Sequence, residues 1–344
     1  MKTPCTTYIH RMWRALIAVP FLLLLALHIG VSSSNADDDT KSGYIWLGTG
    51  GPAGTYFKVG RKLCRSINRN AQAFLNDRVR QKLECTSAPS GGSAFNVRQL
   101  SIGAFTLALV QSDTQYHAYN GTNPHAVQPF RDLRSILALY QEPVQLVVAK
   151  GSDIKKFSDI VGKRVNIGNV GSGTRNVMMD LMEQHGVAIS DLAEATELTG
   201  TEYPRALCDG RLDAYIVVSS VPARQIKSAV SRCGAKMIGL GSEVEEQLVK
   251  RAPYYSIVTL PKGSYTNQEK DIKTISVTAT LVTSRKVSSV VIYEVVRTLM
   301  QNLGYLHEME TPHIFRSPKE LSSKGLAAPM HPGAVKYFLE NGLM

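Results

Sequence analysis

The chain has 344 residues, of which 44% are hydrophobic and 19% are charged. This length exceeds what one core comfortably holds and predicts two domains. Lysine and arginine outnumber aspartate and glutamate by 39 to 28, which gives a net charge of +11. The basic residues are dispersed along the chain. We therefore expect a solvated surface that helps to attract anionic solutes, and no nucleic-acid partner.

The first 36 residues have the pattern of a secretory signal peptide. A basic region precedes an apolar core over residues 15–27, and small residues stand at Ser34 and Ala36. An uncleaved membrane anchor is the alternative, but a span needs about 20 apolar residues, and Pro20 interrupts this run. We expect cleavage before Asp37 and a periplasmic location for the mature chain, in which no later run is apolar for long enough to span a membrane.

Strands and helices alternate in the first part of the mature chain. Apolar runs predict strands over residues 44–49, 83–88 and 104–113, with helices over 56–68 and 91–103 between them. This βαβαβ order predicts a parallel sheet with helices on its faces. Two further strand-like runs, LRSILALY and VQLVVAK, follow nearly end to end. We expect them to carry the chain from one domain to the other.

The same alternation begins again in the second part of the chain. Strands are expected over residues 164–169, 195–200, 212–219 and 235–240, and helices over 174–185, 202–210 and 222–233. A return strand is expected over 274–284, followed by helices around 289–303 and 333–341. The C-terminal part is expected to pack back onto the first unit. The prediction is therefore an α/β protein in which residues 37–140 plus 256–344 form lobe 1 and residues 141–255 form lobe 2.

The cysteine pattern favours disulfides. Export removes Cys5 and leaves an even number of cysteines in an oxidising compartment, namely Cys64, Cys85, Cys208 and Cys233. Three connectivities are open, and nearness in sequence favours the first two as one pair and the last two as the other. A metal site is the alternative, but the spacing is not Cys-x-x-Cys and no histidine cluster accompanies it.

Two glycine-rich runs, GTGGPAGTYF and VGSGTR, each lie between a predicted strand and a predicted helix. A phosphate-binding P-loop needs Gly-Lys-Ser/Thr at its end, whereas Gly54 is followed by Thr55. A dinucleotide fingerprint needs Gly-x-Gly-x-x-Gly, and Gly48, Gly50 and Gly54 are one residue too widely spaced. The runs therefore do not indicate a nucleotide cofactor.

Both runs do supply a helix N-terminus with free backbone N–H groups, where the helix dipole favours an anion. Ordinary turns with serine or threonine caps are the alternative for either run alone. Two such runs, one in each α/β unit and each at the carboxyl end of a strand, favour a ligand site there. We expect the two units to face each other across a cleft that closes on a small anion.

Several motifs together resemble one protein family. They are GTGGPAGTYF, GGSAFNVRQL, LVQSDTQYHAYNG, the long run from LYQEPVQLVV to VGSGTR, ALCDGRLDA, ATLVTS and APMHPGAVKYFLENGLM. In this order they resemble the TAXI family, the solute receptors of tripartite ATP-independent periplasmic (TRAP) transporters, over essentially the whole mature chain. The resemblance implies a two-lobed periplasmic binding protein of the type II-like class, with two α/β domains joined by a hinge. Its ligand would be glutamate, glutamine or a related dicarboxylate.

Carried over to this chain, the resemblance and the glycine runs imply a set of ligand-binding residues. They are Thr55, Tyr56, Ser93, Gln111, Ser112, Asp113, Tyr140, Glu142, Asn169, Ser172, Gly173, Thr174 and Arg175. The run from Asn169 to Thr174 would hold a carboxylate, and Asp113 or Glu142 would meet an α-ammonium group. Tyr140 would form the floor of the cleft, and Arg175 is a candidate partner for a second carboxylate.

The chain departs from the family pattern after the strand DAYIVV. Relatives usually continue with Gly-His-Pro, where this chain has Ser220, Val221 and Pro222. Two interpretations stand beside each other: Val221 removes a polar ligand contact and changes specificity, or the loop is only a packing variant.

These features predict a binding protein and not an enzyme, because no nucleophile–base pair accompanies GGSAF. We expect a monomer, without cofactor or metal, that captures a small carboxylate or amino acid and delivers it to TRAP-type membrane permease subunits. The alternative is a ligand-sensing periplasmic module that signals to a membrane-bound sensor kinase.

Overall fold

A computed structural model describes residues 43–72, 74–76, 79–123, 127–308 and 317–344. The predicted signal peptide and its cleavage site lie outside these residues. No helix within the described ranges is long and apolar enough to cross a membrane.

Twelve strands are present in the described chain. They are β1 (Tyr44–Gly48), β2 (Phe74–Asn76), β3 (Val79–Gln81), β4 (Glu84–Ala88), β5 (Leu107–Gln111), β6 (Leu133–Val148), β7 (Arg164–Asn166), β8 (Glu194–Thr196), β9 (Ala214–Val218), β10 (Lys236–Ile238), β11 (Ser256–Leu260) and β12 (Ile272–Ser284).

Eleven α-helices accompany them. They are α1 (Thr55–Asn70), α2 (Ser93–Ser101), α3 (Ser112–Asn120), α4 (Gly173–Gln184), α5 (Tyr203–Cys208), α6 (Arg224–Cys233), α7 (Glu243–Arg251), α8 (Ser289–Gln301), α9 (Leu303–His307), α10 (Pro318–Leu321) and α11 (Pro332–Glu340). Two short 3-10 helices span Phe157–Ile160 and Ile189–Asp191.

Ten of the strands form one mixed sheet. Its order is β4-β1-β5-β12-β6-β9-β7-β8, with β10 paired to β6 and β11 paired to β12. The strands β4, β1 and β5 are parallel to one another, and so are β9, β7 and β8. The sheet is therefore built from two parallel βαβαβ units of the kind that the alternating sequence predicts.

The two long strands β6 and β12 join these parallel units. The first part of β6 pairs antiparallel with β12, and its last part, from Val144 to Val148, pairs antiparallel with β9. Along β6 the buried side chains also change partners: Tyr140 packs in one hydrophobic cluster and Val144 in another. The strand thus runs from the core around β1 and β5 into the core around β7 and β9. The lobe boundaries themselves stay a prediction.

Helix α1 shows how local sequence positions the first unit. Val59, Leu63 and Ile67 recur at helical spacing and are buried, so this face covers β1. Gly60 lies on the same face, and a Cβ there would overlap the side chain of Thr49. The glycine permits the helix to approach the strand closely, which fixes the first turn of α1 at the end of β1.

The structure corrects the predicted elements in several places. The expected strand over 104–113 ends at Gln111, and α3 begins at Ser112. The two strand-like runs around Pro143 are one continuous strand, β6. Helices α7, α9 and α10 and strands β2, β3 and β11 were not predicted.

Both favoured disulfides are present. Cys64 is bonded to Cys85 and Cys208 to Cys233. The first links α1 to β4, and the second links α5 to α6. In the chain-entropy model each closed loop of this size contributes about 3 kcal/mol to the free energy of unfolding.

Candidate functional site

A cavity of about 330 Å³ lies where the carboxyl ends of both parallel units meet. Much of its wall comes from four turns that each follow a strand. The cavity is in the size range of small-molecule sites. The turns are residues 50–56, 90–93, 168–174 and 199–201. Two of them are the glycine runs singled out in the sequence, and they meet at this cavity as predicted.

Three helices begin at this cavity. Helix α1 begins at Thr55, α2 at Ser93 and α4 at Gly173, and each of these residues lines the wall. The caps of α1 and α2 are glycines without a side-chain hydrogen bond. Because the first N–H groups of a helix have no partner within the helix, three sets of donors are directed at one small space.

Two predicted hydroxyl contacts are already used within the protein. The Ser172 hydroxyl caps α4 by accepting a hydrogen bond of 3.2 Å from the Arg175 N–H, and it donates to the Asn169 carbonyl at 2.7 Å. The Thr174 hydroxyl accepts a hydrogen bond of 3.3 Å from the Val218 N–H. These side chains shape the loop, and the free donors it offers are backbone N–H groups.

A buried acidic corner closes one end of the cavity. Glu142 from β6 is 2% exposed, and its Oε2 accepts a hydrogen bond of 2.9 Å from the Tyr56 hydroxyl. Burial raises the pKa of Glu142 to about 8, although hydrogen bonds from Tyr56 and Gln111 favour its ionised form. At neutral pH this carboxyl group is mostly protonated while the cavity holds no cation.

Gln111 completes this corner. Its backbone N–H donates to the Ser93 hydroxyl at 3.1 Å. Its side-chain Oε1 is buried and has no hydrogen-bond partner within the described ranges. An unpartnered buried acceptor is costly, and this one lies against Gly173 at the start of α4.

Direct hydrogen bonds cross the cavity and hold its two sides together. The Thr55 hydroxyl lies 3.0 Å from the Ser219 hydroxyl and 2.8 Å from that of Ser220. On the opposite rim the Phe95 N–H donates to the Gly171 carbonyl at 3.1 Å. The arrangement is a closed one, in which a solute would be surrounded by both parallel units.

Nine of the predicted residues line this cavity: Thr55, Tyr56, Ser93, Gln111, Glu142, Asn169, Ser172, Gly173 and Thr174. The other four do not. Ser112, Asp113, Tyr140 and Arg175 lie outside the wall.

The positions of Ser112 and Asp113 follow from the early end of β5. Since α3 begins at Ser112, both residues turn away from the cavity into buried contacts. The Ser112 hydroxyl donates to the Tyr254 carbonyl at 2.9 Å. Burial raises the pKa of Asp113 to about 8, and the charge of Asp180 acts in the same direction. Asp113 is therefore a mostly neutral group inside the protein.

Tyr140 and Arg175 have other partners. Tyr140 is packed in the hydrophobic cluster of the first unit, where burial raises the pKa of its hydroxyl well above the usual value. Arg175 forms an ion pair of 2.5 Å with Glu197. Its charge is thus compensated by a residue that the local sequence did not indicate.

Sequence reasoning missed part of the wall. Thr199, Gly200 and Thr201, together with Tyr203 and Gln225, also line the cavity. The signal was present, because residues 195–200 were expected to be a strand followed by a helix. Val221 does not line this cavity and packs at the edge of a hydrophobic cluster.

No group of three or more histidine, cysteine, aspartate or glutamate side chains suited to a metal ion occurs among the residues that the structure describes.

The fold is similar to solved structures at low sequence identity. A protein of Bordetella bronchiseptica RB50 matches with a TM-score of 0.51 and 11% identity, over 88% of this chain and 99% of that one. The amino acid ABC transporter substrate-binding protein AbpA from Streptococcus pneumoniae, bound to L-arginine, has a TM-score of 0.49 and 14% identity, over 79% of this chain and 94% of that one. The alkanesulfonate-binding protein SsuA from Xanthomonas axonopodis pv. citri, bound to MOPS, has a TM-score of 0.47 and 14% identity, over 77% of this chain and 74% of that one.

The chain shares with the Bordetella protein a fold in which helices cover the faces of a mixed sheet. The chain belongs to the NMT1-like family, whose model matches residues 47–342.

Proposed function

We propose that this protein is an extracytoplasmic receptor that captures a small carboxylate or amino acid by closure of its cleft. The observation that carries the proposal is the convergence of three helix N-termini and one buried carboxyl group on a cavity of about 330 Å³. Such a cavity offers donors at one side and an acidic group at the other. A carboxylate and an ammonium group on one small molecule match both.

The carboxylate end would be bound by backbone N–H groups. No lysine or arginine lines this cavity among the described residues, so an anion has no cationic side chain to meet there. The starts of α1, α2 and α4 supply the favourable potential instead. Hydrogen bonds to an ionised acceptor in a closed site are roughly twice as strong as those between neutral groups.

The amino end would meet Glu142 and Gln111. The unpartnered Oε1 of Gln111 accepts one N–H of the ligand, and Glu142 supplies a negative charge once a cation approaches. A simple carboxylate without an amino group would leave both positions unsatisfied. The site therefore favours amino acids over their des-amino counterparts.

Delivery of the solute to a membrane permease is part of the proposal. The TRAP type of permease and an exported, monomeric receptor are inferred from the sequence motifs and the N-terminal pattern. Closure of the two sides around a solute would create the form that a permease recognises. Uptake of the solute by cells, measured with either ATP or the ion gradient depleted, tests the type of transporter.

Thermal-shift measurements test ligand capture. The mature chain is refolded with its disulfides formed and is mixed with L-glutamine, L-glutamate, glutarate or glucose. A ligand that binds only the folded protein raises the midpoint, and a concentration 100-fold above the dissociation constant adds about 2.7 kcal/mol.

We expect a rise with at least one of the amino acids. A rise with glucose alone, or with none of the four solutes, would contradict the proposal. An equal rise with glutarate and with the amino acids would mean that the protein is a carboxylate receptor in which Glu142 does not bind an amino group.

A further inference from the structure

A second cavity of about 310 Å³ opens next to the first one. The two share Pro52, Ala53, Gly200, Thr201 and Gln225 as wall residues, so they are immediate neighbours. We call the first the inner cavity and the second the outer cavity. A solute longer than the inner cavity would extend into the outer one.

The outer cavity is lined by three arginines. Arg205 comes from α5, and Arg224 and Arg232 come from α6. Arg224 and Arg232 are eight residues apart with Ser228 between them, a spacing that places all three on one face of the helix. Three exposed arginines thus line a space beside the ligand cavity, whose own wall contains no cation in the described chain.

These arginines lack compensating charges inside the outer cavity. No aspartate or glutamate lines it in the described ranges. Asp209, which does not line the cavity, pairs with Arg205 at 3.4 Å between its Oδ2 and the Arg205 Nε. Arg224 and Arg232 form no ion pair with a described carboxylate, in contrast to Arg175, which is paired with Glu197.

The placement of Arg224 opposes helix stability. Arg224 is the first residue of α6, where the helix dipole disfavours a cation by about 0.3–1 kcal/mol. The disulfide between Cys208 and Cys233 ties α5 to α6, so the two helices that carry the arginines are held together. Local departures from stabilising rules are expected where a binding role compensates for them.

We propose that the outer cavity is a subsite for a second anionic group of the ligand. The solute would have one end in the inner cavity and an acid group at the far end of a short chain, which one or more of the three arginines binds. Arginine suits this role because its planar guanidinium can donate two parallel hydrogen bonds to a carboxylate. The inference rests on the proposed function, since the inner cavity must hold the other end of the solute.

Isothermal titration with matched amino acids tests the subsite. L-glutamate, L-2-aminoadipate and L-2-aminopimelate are each compared with the neutral amino acid of the same carbon number, namely L-norvaline, L-norleucine and L-2-aminoheptanoate. We expect at least one acidic member to bind tenfold or more tightly than its neutral counterpart. This preference should fall to threefold or less in Arg224→Gln combined with Arg232→Gln, and Arg224→Lys should retain part of it.

Arg65→Gln is the matched control, because Arg65 is exposed on α1 and lines neither cavity. Neutral and acidic members that bind equally would overturn the subsite but keep the inner cavity as a receptor site. Binding of no member at all would overturn the proposed function as well. Stopped-flow rates give a further criterion: if the arginine variants slow association and leave dissociation unchanged, the arginines only steer the solute and the subsite is wrong.

Discussion

The Tyr56 hydroxyl and the Glu142 carboxyl group are joined by a hydrogen bond of 2.9 Å at the inner end of the cavity. Tyr56 comes from the first turn of α1, and Glu142 lies in the strand that joins the two parallel units. The pair therefore connects the glycine loop to the connecting strand. Since burial raises the pKa of Glu142 to about 8, the state of this carboxyl group depends on what the cavity contains.

The first prediction concerns Glu142→Gln. The substitution keeps the size of the side chain and removes its negative charge, so the site loses the partner of an ammonium group. We expect the preference for L-glutamine over its des-amino analogue glutaramate to fall by about 10- to 100-fold, because hydrogen bonds to charged groups contribute about 1.5–3 kcal/mol. Titration calorimetry with both solutes measures this preference.

Glu269→Gln is the control for that substitution. Glu269 is exposed and lies outside both cavities, so the same exchange of a carboxyl group for an amide is made there without touching the site. Equal preferences in the Glu142 variant and the wild type would show that the carboxyl group does not meet the ligand.

The second prediction is that binding of an amino acid releases a proton. At pH 7 Glu142 is mostly protonated in the ligand-free protein because its pKa is raised to about 8, whereas an ammonium group nearby favours the ionised form. Affinity for L-glutamine should therefore rise between pH 6 and pH 8. Calorimetry at pH 7 should give different binding enthalpies in phosphate and in Tris, because the released proton is taken up by the buffer.

Glu142→Gln supplies the comparison, because an amide does not titrate. The variant should show a smaller dependence of both affinity and enthalpy on pH and buffer. Identical enthalpies in both buffers for the wild-type protein would exclude ionisation of Glu142 on binding.

The third prediction concerns the close approach at Gly173. A Cβ at this position would overlap the Oε1 of Gln111 and lie 2.9 Å from the Ser93 hydroxyl. Gly173→Ala should therefore weaken ligand binding at least tenfold and favour a more open arrangement of the cleft. Small-angle scattering with and without L-glutamine should show a smaller ligand-induced compaction than in the wild type.

Gly304→Ala is a matched control, since a Cβ there meets no atom within 4 Å. It introduces the same methyl group into a helix without affecting the cavity and is expected to stabilise slightly. Wild-type affinity in the Gly173 variant would mean that the approach of Gly173 to Gln111 is not required for binding.

The glycine loops were predictable because their chemistry is local. In the run after β7, the sequence NVGSGTR contains the turn, the cap and the first helical residues within a few positions. Strand, loop and helix start are thus specified by neighbours, and the carboxyl ends of parallel strands lie at one edge of a sheet. The inner cavity follows from these two facts.

Other features depend on contacts that local patterns do not contain. The run AFTLALVQSD is compatible with a strand beyond Gln111, and only the packing of α3 against β12 ends it there. Arg175 has an N-terminal helix position typical of an anion partner, but Glu197 from a later loop neutralises it. The arginines of the outer cavity come from two helices that the fold and a disulfide bring together.

The last prediction concerns His331 and acid stability. His331 is fully buried and caps α11: its Nδ1 accepts a hydrogen bond of 3.2 Å from the Gly333 N–H. Its Nε2 lies 3.1 Å from the Val287 carbonyl and acts as the donor. This pair of bonds requires the neutral ring, and burial lowers the pKa of His331 to about 4.

Because the folded-state pKa lies below the unfolded value of about 6.5, the stabilisation is complete above pH 6.5 and is lost as the pH falls toward 4. The loss amounts to at most about 1.4 kcal/mol per pH unit. His331→Asn retains a capping side chain but has no titrating ring. Urea unfolding of both proteins at pH 7.5, 6, 5 and 4 should show a smaller decline of the unfolding free energy for the variant. Glu142 and Asp113 titrate in both proteins, so the difference between the two curves isolates the histidine, and parallel curves would contradict the assignment.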